Sequence, residues 1–155
     1  MKNGHDSSSY LHNSSLVIPG STVEVAAGLV FRNGQLLITQ RHADAHLGGL
    51  WEFPGGKREP QESFEECLRR ELKEELGVEI EIHELVDSIT HEYPEKTVTL
   101  KFFRCSLRQH EPRALGCPAF CWAGRDELAN YEFPAADARL LQRLRHTSEW
   151  WERHG

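Results

Sequence analysis

Three things are scarce in this 155-residue chain, and each scarcity excludes a class of protein. Long apolar runs are the first. The longest uninterrupted one runs only from Val25 to Phe31, against the roughly 20 residues that a bilayer span requires. The leading MKNGHDSSSY likewise holds no hydrophobic run suited to a signal peptide. No membrane association and a cytoplasmic location are the expectation. Cysteine is the second. Cys67, Cys105, Cys117 and Cys121 make no CxxC pair, and the Cys117 to Cys121 spacing fits no common zinc knuckle. Reduced, unligated thiols follow. Positive charge is the third: 18 Lys and Arg against 24 Asp and Glu leave a formal charge of −6. Nucleic-acid polymers are held by clustered Lys and Arg, so a polymer partner is not expected, although a single nucleotide stays open. A chain of this length buries roughly 70% of its unfolded surface and needs neither disulfide nor structural metal.

What is present is organised as one domain. Residues 1–20 carry five Ser, two Asn, two Gly and a Pro, the composition of a flexible N-terminal extension. The domain is expected over 21–155. Apolar Val23 to Phe31 leads through Arg32-Asn33-Gly34 into Leu36-Leu37-Ile38, a hairpin signature. A Gly-rich loop is expected from His42 to Lys57. Val78, Ile80 and Ile82 alternate with Glu79, Glu81 and His83, and Val98, Leu100 and Phe102 alternate likewise, so both stretches read as strands. Phe120 to Trp122 is a further short strand, and Ala135 to Trp151 reads as a closing helix with Leu140, Leu141 and Leu144 inward. Strands with one strong central helix and a closing helix imply an α/β or α+β sandwich.

The central helix is the informative element. Ser63 and Glu66 form a capping box, Pro60 lies upstream, and Gly77 sits where a left-handed residue ends the last turn. With Glu71 at 0° and about 100° per residue, Phe64, Leu68, Leu72 and Leu76 fall between about 20° and 140°, Glu75 at about 40° and Glu74 at about 300°. Arg69, Lys73, Glu66 and Arg70 occupy the opposite arc. Glu71, Glu74 and Glu75 therefore crowd beside or within the apolar stripe. Their i,i+3 and i,i+4 like-charge pairs cost about 0.2–0.5 kcal/mol each even when exposed. A solvated face with Arg70 serving Glu66 and Glu74 is one reading. A site for Mg²⁺ or Mn²⁺, which favour carboxylate oxygens, is the other.

Read outward, those acids belong to a longer pattern: Gly56, five residues, Glu62, seven residues, then Arg70-Glu71-Leu72-Lys73-Glu74-Glu75-Leu76-Gly77-Val78. This resembles a complete Nudix box. Thr39 to His46, Trp51 to Lys57, Glu92-Tyr93-Pro94, Thr97 to Leu100 and Phe133 to Asp137 extend the similarity, over Val23 to Arg145, to the MutT branch. The resemblance implies a Nudix αβα sandwich with a mixed β-sheet and the Nudix loop-helix-loop. It implies Mg²⁺- or Mn²⁺-dependent hydrolysis of a nucleoside triphosphate to monophosphate and pyrophosphate, removing oxidised nucleotides such as 8-oxo-dGTP from the pool, by a monomer or weak dimer. By position, Glu71, Glu74, Glu75 and the Gly55 carbonyl are the expected metal ligands. Arg70 is expected to orient the carboxylates. Arg41, His46, Phe53, Lys96 and Asp137 are the expected substrate contacts. The segment is no Walker A loop, because position 51 is Trp and Arg58 stands where Ser or Thr is required.

Two departures bear on function. Gly116 stands six residues before Trp122, where relatives usually carry a glutamate that ligates metal or serves as base, and Glu111 is the nearest preceding acid. Asp137 stands where enzymes selective for oxidised guanine commonly present Asn. An ionised carboxylate only accepts hydrogen bonds, which suits the N7–H of 8-oxoguanine or the amine of cytosine. A simple helix N-cap is its other reading. Pyrophosphohydrolysis of (d)CTP or of ADP-ribose is therefore an alternative, Pro94 lying 16 residues beyond Val78. A catalytically silent nucleotide-recognition module is an alternative of another class, favoured only by Gly116.

Overall fold

The computed structural model describes residues 21–45 and 47–152. The expected extension at 1–20 and the candidate His46 lie outside the described residues.

The chain runs β1 (Ser21–Arg32), β2 (Gln35–Gln40), β3 (Trp51–Glu52), β4 (Gly55–Lys57), α1 (Phe64–Leu76), β5 (Glu79–Glu92), β6 (Lys96–Gln109), β7 (Ala119–Gly124) and α2 (Ala138–His146). β1 is the spine of the sheet. It pairs in parallel with β6 over Ser21–Val30, antiparallel with β4 over Val25–Ala27, and antiparallel with β2 at Phe31 and Arg32. β5 pairs antiparallel with β6, and both β3 and β7 with β2. One parallel pair among antiparallel ones makes the sheet mixed, as expected.

Strand alternation divides the core into two layers. Val25, Ala27 and Leu29 of β1 join Val98, Leu100 and Phe102 of β6 beneath Leu140 and Leu144 of α2. Ala26 and Val30 instead meet Cys67, Leu68, Leu72 and Leu76 of α1, with Phe103 and Cys105 of β6. The architecture is the expected αβα sandwich. Burial of the three α1 leucines, at about 1.5–3 kcal/mol each, outweighs the repulsion among its acids, at about 0.2–0.5 kcal/mol per pair. The helix can therefore hold like charges together for another purpose.

Its ends are set locally. Glu66 N–H donates to Ser63 Oγ at 3.0 Å, Ser63 N–H donates to Glu66 Oε1 at 2.8 Å, and Gly77 closes the last turn at φ 69°. The hairpin turn also forms, with Asn33 and Gly34 both at positive φ.

Two expectations are corrected. The stretch from His42 to Lys57 is not loop throughout, because β3 pairs with β2 and β4 with β1. The closing helix does not run unbroken from Ala135 to Trp151. A 3₁₀ turn over Ala135–Asp137 precedes α2, and Thr147 leaves helical geometry before a second 3₁₀ turn over Ser148–Trp151. That break lets Trp151 fold back: its indole N–H donates to Leu144 O at 2.8 Å, and its ring meets Phe31 edge-on at 5.0 Å.

Candidate active site

The segment Trp51–Lys57 links the two layers. Glu52 pairs with Thr39 in the β2–β3 register and joins the α1 side, while the next residue, Phe53, enters the core on the α2 side. Pro54 O accepts from Gly28 N–H at 2.8 Å, which fixes the segment against β1. The glycines that follow are required by close approach. A Cβ at Gly55 would collide with the backbone of Ala26 and Ala27, and one at Gly56 would fall on the Glu71 carboxyl group. A cleft of about 370 Å³ results, lined by Glu52, Gly55, Gly56, Arg70, Glu71 and Glu75.

Arg70 organises the acids on one side of the cleft. Its Nε donates to Glu62 Oε2 at 2.5 Å and its second terminal nitrogen to Glu62 Oε1 at 3.0 Å and to Lys57 O at 3.1 Å. Nη1 reaches Glu71 Oε2 at 3.1 Å and Glu74 Oε1 at 3.4 Å. The guanidinium holds the Glu62 carboxyl down at about 2. Of the three box acids the wheel grouped together, Glu71 and Glu75 line the cleft, whereas the Glu74 side chain is 60% exposed and touches Arg70 at the edge.

Burial and crowding raise the affinity of the inner acids for protons. Desolvation pushes Glu71 up, opposed by Arg70 and assisted by the charge of Glu74. Glu75 is pushed well above the ordinary carboxylate range, first by burial and then by the charges of Glu52, Glu71 and Glu74, against a backbone hydrogen bond from Gly55. Sequence reasoning missed Glu52. It is 8% exposed, 3.7 Å from Arg41 Nη1, and shares a small recess with Arg41, His42, Glu75, Gly116 and Cys117. No local signal marks it, since the two-residue β3 that brings it opposite Thr39 falls in a stretch that reads as loop.

The departure at Gly116 has a packing counterpart. Leu115 and Gly116 N–H groups both donate to Glu75 O at 3.0 Å, and a Cβ at Gly116 would lie 3.3 Å from Glu75 Cα. The loop therefore seats directly on the end of α1. Glu111 is not brought in: it pairs with Arg32 at 2.7 Å and is largely exposed. The acid that the fold supplies beside Glu75 is Glu52.

Of the remaining expected contacts, Phe53, Lys96 and Asp137 separate from the acids and Arg41 does not. Arg41 is buried beside Glu52 on the acid side. Phe53 is fully enclosed on the α2 side, edge-on to Phe102 at 6.0 Å and tilted against Phe133 at 5.1 Å. Lys96 is buried on the strand face that carries Val98 and Leu100, its Nζ 5.9 Å from the Tyr93 ring centroid. Asp137 is 4% exposed, makes no side-chain cap to α2, and its Oδ2 has no hydrogen-bond partner among the described residues. Burial pushes its carboxyl up to about 7. The N-cap alternative for Asp137 is thus not what the side chain does.

The donor set suits a hard dication. Several carboxylates crowd one cleft, and their mutual repulsion and desolvation are what a divalent ion would relieve. Among the described residues, no three His, Cys, Asp or Glu side chains already form a metal-holding group. Mg²⁺ in particular uses one or two carboxylates with water and substrate phosphates rather than an all-protein cage, so the cleft fits that manner of binding.

Comparison with known proteins identifies the family. The family described as NUDIX domain matches residues 26–143. The CTP pyrophosphohydrolase of Escherichia coli (strain K12) is 38% identical over 125 residues, covering 77% of this chain and 89% of the relative. The 8-oxo-dGTP diphosphatase of the same organism is 32% identical over 124 residues, covering 79% and 96%. The solution structure of the E. coli ORF135 protein superposes with a TM-score of 0.64 at 36% identity, covering 79% of this chain and 88% of that one. With the box residues gathered at one cleft and a match of this extent, the chain belongs to the Nudix hydrolase family, on its MutT branch.

Proposed function

We propose that this protein hydrolyses nucleoside triphosphates to the monophosphate and pyrophosphate, and that its substrates are oxidised nucleotides of the 8-oxo-dGTP kind in the cytoplasmic pool. The observation that carries the reading is the convergence of Glu71, Glu75 and Glu52 on one cleft floored by Gly55 and Gly56. Glu71, Glu74, Glu75 and the Gly55 carbonyl would hold Mg²⁺ or Mn²⁺. When bound, such a metal neutralises phosphate oxygens and makes water more acidic. Water attacks one phosphorus of the α–β anhydride, that phosphoanhydride bond breaks, and the bridging oxygen leaves with the bonding electrons, giving monophosphate and pyrophosphate. The water proton passes to a carboxylate, for which Glu75 and Glu52 are the candidates. Arg70 keeps Glu71 aimed into the cleft throughout. Solution behaviour as a monomer or weak dimer goes with this reading.

Asp137 favours a second reading, cytidine triphosphates. Its carboxyl is buried, incompletely bonded and pushed by burial up to about 7, which makes both its ionised and its protonated form accessible. Ionised, it accepts from N7–H of 8-oxoguanine or from the cytosine amine; protonated, it also donates to a ring nitrogen. Relatives with both activities by name support keeping the two.

The test is pyrophosphate release from 8-oxo-dGTP, dGTP, dCTP, 5-methyl-dCTP and ADP-ribose, with and without Mg²⁺, by the unaltered protein and by Glu75→Gln. The expected result is Mg²⁺-dependent turnover, fastest with 8-oxo-dGTP and reduced about 100-fold or more in the variant. Preference for the cytidine nucleotides replaces the first substrate by the second. Release undiminished in Glu75→Gln removes that residue's role, and no turnover of any substrate returns the silent recognition module.

A further inference from the structure

At the rim of the acid cleft, which Arg58 and Glu59 help to line, the turn that precedes α1 is tied down by a residue that the box pattern does not use. Arg58 Nε donates to Glu24 Oε1 at 2.7 Å, and its Nη2 donates to the same oxygen. Its Nη1 donates to the carbonyl oxygens of Glu62 and, at 3.4 Å, Glu59. The guanidinium carbon also lies 5.4 Å from the centre of the Phe64 ring, the first residue of α1, and Lys101 Nζ of β6 lies 4.3 Å from the same ring. One side chain thus joins β1, both ends of the Glu59–Glu62 turn and the start of the helix.

What that turn carries matters to the acids. Glu62 N–H donates to Glu59 O at 3.1 Å and Glu59 N–H to Glu62 Oε1 at 3.0 Å, so the turn fixes the Glu62 carboxylate. Glu62 takes two hydrogen bonds from Arg70, whose Nη1 reaches Glu71 and Glu74. We propose that Arg58, anchored on Glu24, is a positioning residue for the acid cluster: it sets the Glu59–Glu62 turn so that Glu62 orients Arg70, and Arg70 orients Glu71 and Glu74. The inference rests on the reading of that cluster as the metal-binding centre. Lysine can replace this arginine only in part, because one ammonium cannot span a carboxylate and two carbonyls in a fixed fork.

The test compares Arg58→Ala, Arg58→Lys and Glu24→Gln with Arg104→Ala, which removes a pair to Glu84 on the β5–β6 hairpin. Mn²⁺ binding is read from water-proton relaxation without nucleotide, and the Mg²⁺ half-saturation, kcat and KM from turnover. Arg58→Ala is expected to weaken Mn²⁺ binding and raise the Mg²⁺ half-saturation about tenfold, with KM at saturating metal changed less than about twofold. Arg58→Lys and Glu24→Gln are expected to fall between it and the unaltered protein, and Arg104→Ala to match the unaltered protein. Glu24→Gln keeps the shape and an acceptor, so it remains informative where Arg58→Ala does not fold. Equal Mn²⁺ affinity in the unaltered protein, Arg58→Ala and Glu24→Gln overturns the inference, as does a loss equally large in Arg104→Ala. Absence of turnover by the unaltered protein is instead a failure of the proposed function, and the Mn²⁺ affinities still decide for or against Arg58.

Discussion

The two sides of the sheet solve opposite problems. On the α1 side, acids are brought together and every one that Arg70 can reach is bonded, so that charge is concentrated and aimed. On the α2 side, aromatic rings close over one another and the Asp137 carboxyl is left buried with an oxygen that has no partner among the described residues. The first arrangement suits a reaction common to many nucleotides; the second suits a choice among bases. Under the proposed function, chemistry and selectivity are built from different layers of one core, and substitutions should separate them.

The largest effect is expected at the glycine that admits Glu71. Gly56→Ala places a methyl on the Glu71 carboxyl and should reduce kcat by about 100-fold, a loss of roughly 2.7 kcal/mol in the barrier, with base preference unchanged in the turnover panel. Glu52→Gln tests the acid that sequence reasoning missed. It should lower kcat about 10- to 100-fold while leaving the ratio of 8-oxo-dGTP to dCTP turnover intact; a changed ratio would break the division between the layers.

Asp137→Asn is the complementary probe. It should shift the ratio of 8-oxo-dGTP to dCTP turnover several-fold, by about 1 kcal/mol, without moving the Mg²⁺ half-saturation. It should also alter stability with pH. The folded chain keeps the Asp137 proton up to about 7, whereas the ordinary value is 3.8. Between these values the folded state binds more protons than the unfolded one, so stability contributed by this group falls as pH rises through the window, by at most about 4 kcal/mol. Denaturant unfolding at pH 5 and pH 8 should show that slope flattened in Asp137→Asn. The smallest effect is expected at Trp151→Phe, which loses the hydrogen bond to Leu144 O and should cost about 1 kcal/mol in thermal unfolding with turnover unaffected.

How much of this was legible followed from how local each feature is. The α1 helix announces itself because Ser63 with Glu66 at one end and Gly77 at the other each act within their own terminal turn, and its leucines repeat at the helical period. The short strands β3 and β4 do not, because two and three residues carry no period and their partners, β2 and β1, lie elsewhere in the chain. Trp151 turning back onto Phe31 is likewise a long-range event that the apolar pattern after Ala135 cannot show. In the site, Glu71, Glu75 and Arg70 were legible from the box. Glu52 was hidden because its direction depends on the register against Thr39, and the lone oxygen of Asp137 because capping depends on backbone geometry rather than residue type.

The peptide bond between Glu52 and Phe53 has a consequence for how this molecule can change. Its two side chains enter opposite layers, so inserting or deleting one residue inside Trp51–Lys57 would exchange acid for ring and spoil both layers together. Ala45, Gly49 and Leu50 in the neighbouring loop carry no such parity, being held by turn-like hydrogen bonds to His42, Arg41 and Leu47, with Gly49 O also accepting from Gln40 of β2. Length variation should therefore accumulate before Trp51 and stop there, and a library that lengthens the loop should keep its active members in phase with that one peptide.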